Sequence, residues 1–339
     1  MRKPKSTRTL HVTEGRTLAV ATLKQLWKNE YFQTVIMIIL MVVIVFGFWY
    51  GCQLALNTHY PALAVVSESM LPTLNVGDVI IVQGLPAAQI NANNTTGDII
   101  VYRSPYDPEK LIVHRAVNKE NTSNGYRFTT KGDNNAGSDT PFHESYLIGK
   151  VIARIPYVGN FVLLVNAIGN FYYFIIIIII IVNILLSLFF DTDEKKKSAN
   201  EEPHEKRKLF GKLEIETVFF LILDVLLVGF VVFNLFGVFT FWQPGAEMVD
   251  KHVTIRGMYS DLQYHASYNH VSEAFLSQGF FSYKIDCLVN GTIRPGAPTF
   301  SWMQASILIL VFLNLWMANK YLHFAKRLKQ ALKLNSIYK

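Results

Sequence analysis

A mainly β domain attached to about four transmembrane α-helices is the fold class this sequence predicts, and three observations predict it. The apolar residues, 51% of 339, gather in four blocks long enough to cross a bilayer, which takes about 20 residues as a helix. Lys and Arg alternate between rich and poor segments along the chain, as they do in a membrane protein of fixed orientation. Between the first two blocks lie six short β-like runs punctuated by Gly, Asn, Asp and Pro.

Residues 1–31 scatter basic residues among short apolar ones, which suits a helix on the inner membrane surface. The block 32–56 is too long and too far from Met1 for a cleaved secretory signal and reads as a retained anchor. Residues 57–157 carry the β-like runs 62–66, 79–83, 98–103, 111–117, 126–131 and 149–155, the pattern of an all-β sandwich or barrel. The second span, 158–190, includes an isoleucine run from Ile175 to Ile181. A highly charged linker, 191–213, leads to the third span, 214–241. That span holds Asp224, an acid deep in an apolar block, expected to hydrogen-bond a neighbouring helix. Segment 242–300 is rich in Tyr, Ser, His and Gly, and no fold is assigned to it. The fourth span, 301–319, precedes a basic tail, 320–339.

Orientation follows from charge. Segments 1–31, 191–213 and 320–339 hold 20 of the 32 Lys and Arg residues in only 74 positions, and a four-span path puts all three on one side. They are therefore expected to be cytoplasmic, with 57–157 and 242–300 outside. The net charge of +7 is mostly topology and calls for no nucleic acid. Sequons at Asn93, Asn94, Asn121 and Asn290 all fall in the outward segments. Cys52 and Cys287 lack a spacing pattern and read as free thiols.

The chemistry lies in the β domain. Val66 to Asp78 reads V-S-E-S-M-L-P-T-L-N-V-G-D. It is followed by Gly97–Tyr102 (GDIIVY), Ile112–Val117 (IVHRAV), Lys131–Asn135 (KGDNN) with Asp139, and Gly149–Gly159 (GKVIARIPYVG). These five boxes, in this order just after an anchor helix, resemble the type I signal peptidases. His114 stands where bacterial members carry Lys, so the resemblance is to the archaeal and endoplasmic-reticulum type. A serine hydroxyl needs a neighbouring base to act as a nucleophile, a His base titrates near neutrality, and a carboxylate can hold its tautomer.

The resemblance implies a signal-peptidase-like β fold and a membrane-bound serine endopeptidase that cleaves signal peptides from exported preproteins. Ser69 is then the nucleophile and His114 the general base. The Ser67 hydroxyl and the Ser69 backbone N–H form the oxyanion hole. Asp139 is expected to orient His114 and Asp133 to support its loop through backbone hydrogen bonds, although the two roles could be exchanged. The substrate is expected to pair, extended, with the strand entering Ser69 and with the strand at Ile99–Tyr102. Leu63, Val65, Met70, Ile100 and Tyr102 would line shallow pockets for small side chains, in keeping with A-x-A cleavage sites. Lys110 and His143 read as solvated residues. Asp261, His265 and His270 read as polar surface, since their spacing fits no metal site. No cofactor or metal is implied. Expected partners are signal peptides, the bilayer and the translocation machinery, and the expected location is an archaeal cell membrane with the catalytic domain outside. The reading of a different class is a catalytically idle scaffold or accessory subunit with the same fold. Retention of Ser69, His114 and both aspartates speaks against it.

Overall fold

A computed structural model describes residues 30–168, 208–210, 213–246 and 251–337. The chain divides into two compact units, 1–59 and 60–339. In the first, helix α1 (Glu30–Ala55) covers the first apolar block, and most of its apolar side chains are exposed. In the second, each of the six β-like runs contains or overlaps a strand, the first only over 62–64: β1 (Ala62–Ala64), β2 (Val79–Gln83), β3 (Ile99–Arg103), β4 (Leu111–Thr122), β5 (Gly125–Lys131) and, after the short β6 (Phe142–His143), β7 (Leu147–Ile155).

These strands belong to one sheet. β3 is hydrogen-bonded on both sides, to β4 and to β7. β7 also pairs with β2, and β2 with β1. Strands buried on both faces read as continuous apolar runs, which is why β3 is Ile-Ile-Val-Tyr without alternation. One core cluster gathers Val65, Met70, Leu74, Ile80, Val82, Ile99 and Val101; another gathers Ile100, Tyr102, Phe128 and Phe142. Strand alternation sends Ile99 and Val101 to the first cluster and Ile100 and Tyr102 to the second.

Helix α2 (Val158–Ile168) opens the second apolar block, whose remainder lies outside the described residues. A short hairpin, β8 (Lys208–Phe210) and β9 (Leu213–Glu214), precedes helix α3 (Ile215–Phe236). The described residues of segment 242–300, unassigned from sequence, form strands and a helix. β10 (Val238–Trp242) pairs with β11 (His252–Arg256), and helix α4 (Met258–Ser267) follows. Then come β12 (Val271–Gln278), β13 (Ser282–Val289), β14 (Thr292–Arg294) and β15 (Thr299–Phe300). β15 pairs with β13 and, in parallel, with β7 through Thr299 and Arg154, so the segment extends the sheet of β1–β7 to eleven strands.

Helix α5 (Trp302–Ile337) runs well beyond the expected fourth span into the basic tail. The third span is shorter than expected, because the chain leaves the helix at Phe236 and begins β10 at Val238. Among the described residues two helices, Thr217–Phe236 and Trp302–Leu322, are long and apolar enough to cross a membrane, against an expectation of about four. Asn314 Nδ2 donates to Asp224 Oδ1 at 3.1 Å, so Asp224 bonds across to the neighbouring helix as its setting suggested. Both cysteines are free.

Candidate active site

Ser69 sits in the loop between β1 and β2. Backbone bonds between Val65 and Asp78 and between Gly77 and Val65 close that loop, and the fully buried Met70 and Leu74 root it in the core. His114 lies on β4, and Asp133 and Asp139 lie on the loop after β5. That loop packs against the serine turn at Gly132, where a Cβ would fall 2.5 Å from the Ser69 carbonyl oxygen. Only glycine permits the approach.

Three side chains form a line. His114 Nε2 stands 3.0 Å from Ser69 Oγ, and His114 Nδ1 stands 2.6 Å from Asp139 Oδ2. Burial pushes the Asp139 carboxyl up, but hydrogen bonds from His114 and Thr130, the nearby imidazole and Tyr102 outweigh it and hold the group below the usual carboxylate range. Thr130 Oγ1 donates to Asp139 Oδ2 at 2.6 Å, and the Tyr102 hydroxyl does so at 3.3 Å. An ionised carboxylate only accepts, so Nδ1 carries the imidazole proton and Nε2 turns its lone pair to Ser69. The tautomer is assigned from this network. Ser67 Oγ lies 3.3 Å from Ser69 Oγ.

Asp133 is placed differently. It takes a bidentate contact from Arg115, Nε and Nη2 each at 2.8 Å, and a hydrogen bond from Thr73 Oγ1. Burial raises its pKa, and the Arg115 charge and hydrogen bonds reverse that to a net lowering. Asp133 thus supports its loop through side-chain contacts with Arg115 and Thr73 and not through the expected backbone hydrogen bonds to its carboxylate. Successive strand residues face opposite ways, so His114 and Arg115 take one carboxylate each.

A cavity of about 300 Å³ opens beside Ser69, lined by residues 63–67 on one side and 110–114 on the other, with Ile80 and Val101 reaching it from the core. Leu63 and Val65 line it as expected from sequence. Met70, Ile100 and Tyr102 do not. Met70 and Ile100 are fully buried in the two core clusters, and Tyr102 stacks on Phe142 at 3.9 Å between centroids while touching Asp139. The expected pairing of substrate with β3 also fails, because both edges of β3 are occupied. β4 offers an edge instead: residues 111–114 pair with β3 alone, and β5 joins only from Arg115. Lys110 is exposed but lines the cavity.

Asp261 and His265 are not surface residues as expected. Both are buried, and Asp261 Oδ2 accepts from Arg154 Nη2 at 2.6 Å. His143 bonds locally to Ser145 and to the Asn124 carbonyl, away from the site. Sequence reasoning missed Arg115, Thr130, Asn134 and Arg154. Arg115 and Asn134 adjoin residues already singled out, and Arg115 in LIVHRAV and Arg154 in KVIARI each show as a charge inside an apolar run.

A hydroxyl, an imidazole and a carboxylate in line, on a β domain joined to apolar helices, is the constellation of the serine hydrolases. No family model matches the sequence. Curated relatives do. The chain is 33% identical over 132 residues to the signal peptidase complex catalytic subunit SEC11 of Lachancea thermotolerans, covering 36% of this chain and 75% of the relative. It is 34% identical over 124 residues to the subunit of the same name from Zygosaccharomyces rouxii, covering 34% and 71%. The Eremothecium gossypii subunit gives 34% over 132 residues, 36% and 75%. The chain belongs to this family, the type I signal peptidases of the Ser-His type. These relatives are fungal and lend no support to an archaeal source.

Proposed function

We propose that the chain is a membrane-bound serine endopeptidase that cleaves N-terminal signal peptides from exported preproteins after small residues. The observation that carries this reading is the 3.0 Å contact between Ser69 Oγ and His114 Nε2, backed by the 2.6 Å contact of His114 with Asp139. Ser69 attacks the scissile carbonyl while His114 takes its proton and then returns it to the leaving amine. Asp139 keeps Nδ1 protonated and steadies the imidazolium. The Ser69 N–H and the Ser67 hydroxyl receive the developing oxyanion. Asp133 and Arg115 hold the carboxylate loop.

The substrate lies extended between residues 63–67 and 111–114, pairing with open backbone on each side. A cavity of about 300 Å³ lined by Leu63, Val65 and Val101 admits small side chains at the last and third-last signal-peptide positions. The blocks 32–56 and 158–190 join α3 and α5 as spans in this reading. They leave 57–157 and 242–300 on the outer or lumenal face, with 1–31, 191–213 and 320–339 in the cytoplasm. The relatives are named as subunits of a complex. A complex, the reticulum membrane and contact with the translocation machinery belong to the same proposal.

Purified full-length protein in detergent, given a preprotein with an A-x-A site, tests it. Wild type is expected to release a mature product whose new N-terminus follows the second small residue. Ser69→Ala is expected to lose at least about 10⁴-fold in rate. An unchanged rate in Ser69→Ala, or cleavage after bulky residues, refutes the reading.

A further inference from the structure

The relatives match about a third of this chain, yet segment 251–300 reaches the back of the serine turn. α4 is fixed there by a buried ion pair. Asp261 meets Arg154 at 2.6 Å, and Arg154 Nη1 donates to the Thr73 carbonyl at 3.1 Å, four residues past Ser69. Beyond the C-terminal end of α4, the Tyr268 ring rests edge-on against Tyr264, 5.5 Å between centroids, and the Arg256 guanidinium covers Tyr264 at 3.7 Å. From that footing the Tyr268 hydroxyl donates to Asn134 Oδ1 at 2.5 Å.

Asn134 spends its remaining groups on the nucleophile. Its backbone N–H donates to the Ser69 carbonyl at 2.9 Å, and its Nδ2 donates to the Glu68 carbonyl at 3.2 Å. The Glu68 carbonyl and the Ser69 N–H belong to one planar peptide unit. A donor that fixes the carbonyl end therefore fixes the direction of the N–H at the other end. The side-chain amide of Asn134 has one acceptor and one donor end, and with Tyr268 donating to Oδ1, Nδ2 must face Glu68. The flipped amide would set Oδ1 against the Glu68 oxygen, acceptor against acceptor.

We propose that Tyr268, acting through Asn134, orients the Glu68–Ser69 peptide whose N–H serves as oxyanion donor, so that the appended segment 251–300 supplies positioning residues for catalysis. This rests on the proposed peptidase reading. Oxyanion donors act through their direction toward charge that appears only in the transition state, so the effect belongs in kcat and not in KM.

The experiment measures preprotein cleavage by full-length protein in detergent for wild type, Tyr268→Phe, Asn134→Ala and the double variant, with melting temperatures alongside. Tyr268→Phe keeps the ring and removes one exposed hydrogen bond. It is expected to lower kcat about three- to tenfold while KM stays within about twofold and melting is unaltered. The double variant is expected to be no slower than Asn134→Ala, because the hydroxyl of Tyr268 acts through Asn134 in this proposal. Unchanged kcat in Tyr268→Phe, a loss confined to KM, or losses that multiply in the double variant would each overturn the inference while leaving the peptidase reading intact. A wild type without turnover would remove the peptidase reading itself, and this inference with it.

Discussion

Asp139 accepts from an imidazole, a threonine and a tyrosine, and this convergence keeps it ionised at neutral pH. Replacing it by Asn offers His114 an amide that can donate as well as accept, which favours the wrong tautomer. Asp139→Asn is expected to lower kcat about 10³–10⁴-fold with little change in melting, measured by preprotein cleavage and thermal unfolding. Loss of less than about tenfold would show that the carboxylate does not govern the imidazole. At this scale the sequence was most legible where motif order carried the information: Ser69, His114, Asp139 and Asp133 were all named from it, though their roles remain proposals. It failed where only strand parity distinguishes neighbours. In Ile-Ile-Val-Tyr every residue is apolar because both faces are covered, so nothing in the string tells that Val101 reaches the cavity while Ile100 and Tyr102 turn away.

The elements of the β domain were readable because Gly, Pro and Asx clusters bound each run, and every predicted run overlaps a strand, the first only over 62–64. Segment 242–300 was not, since its strands and its helix carry mixed polar residues without a clean period. What organises it is a tertiary feature. Arg154 on β7 faces two carboxylates, Asp78 at 3.3 Å and Asp261 at 2.6 Å. Burial raises Asp261, but Arg154 and His265 reverse this to a net lowering. Burial pushes Asp78 up to about 6, against an ordinary value of 3.8, despite Arg154. The folded state therefore holds a proton on Asp78 that the unfolded state releases, and stability from this group rises as pH falls from about 6 toward about 4. Below that range Asp133 and Asp261, both held low, must take up protons on unfolding and stability falls. Burial holds His265 below its ordinary value, so its proton uptake on unfolding opposes this gain over the same range and is common to wild type and variant. Wild type is therefore expected to gain a few degrees of melting temperature on Asp78→Asn between neutrality and pH about 5. Identical profiles for wild type and variant would contradict the assignment.

At the scale of the molecule, the pairing of β15 with β7 puts 57–157 and 251–300 in one sheet, so both must lie on the same side of a membrane. The alternation of Lys and Arg required the same arrangement, although two of the four expected spans fall short or outside the described residues. Single cysteines at the exposed positions Asn121 and Asn290, with Cys52 and Cys287 replaced by Ser, should both react with an impermeant maleimide from the same face of sealed vesicles. Labelling from opposite faces would contradict the shared sheet. The most direct test of the account as a whole is preprotein turnover by Ser69→Ala, His114→Ala and the double variant under one set of conditions. Groups that act as one unit leave the same residue of activity whichever is removed, and the account predicts three rates equal within about threefold, all at least about 10⁴-fold below wild type. Sustained turnover by His114→Ala, or a double variant slower than either single one by a further large factor, would contradict it.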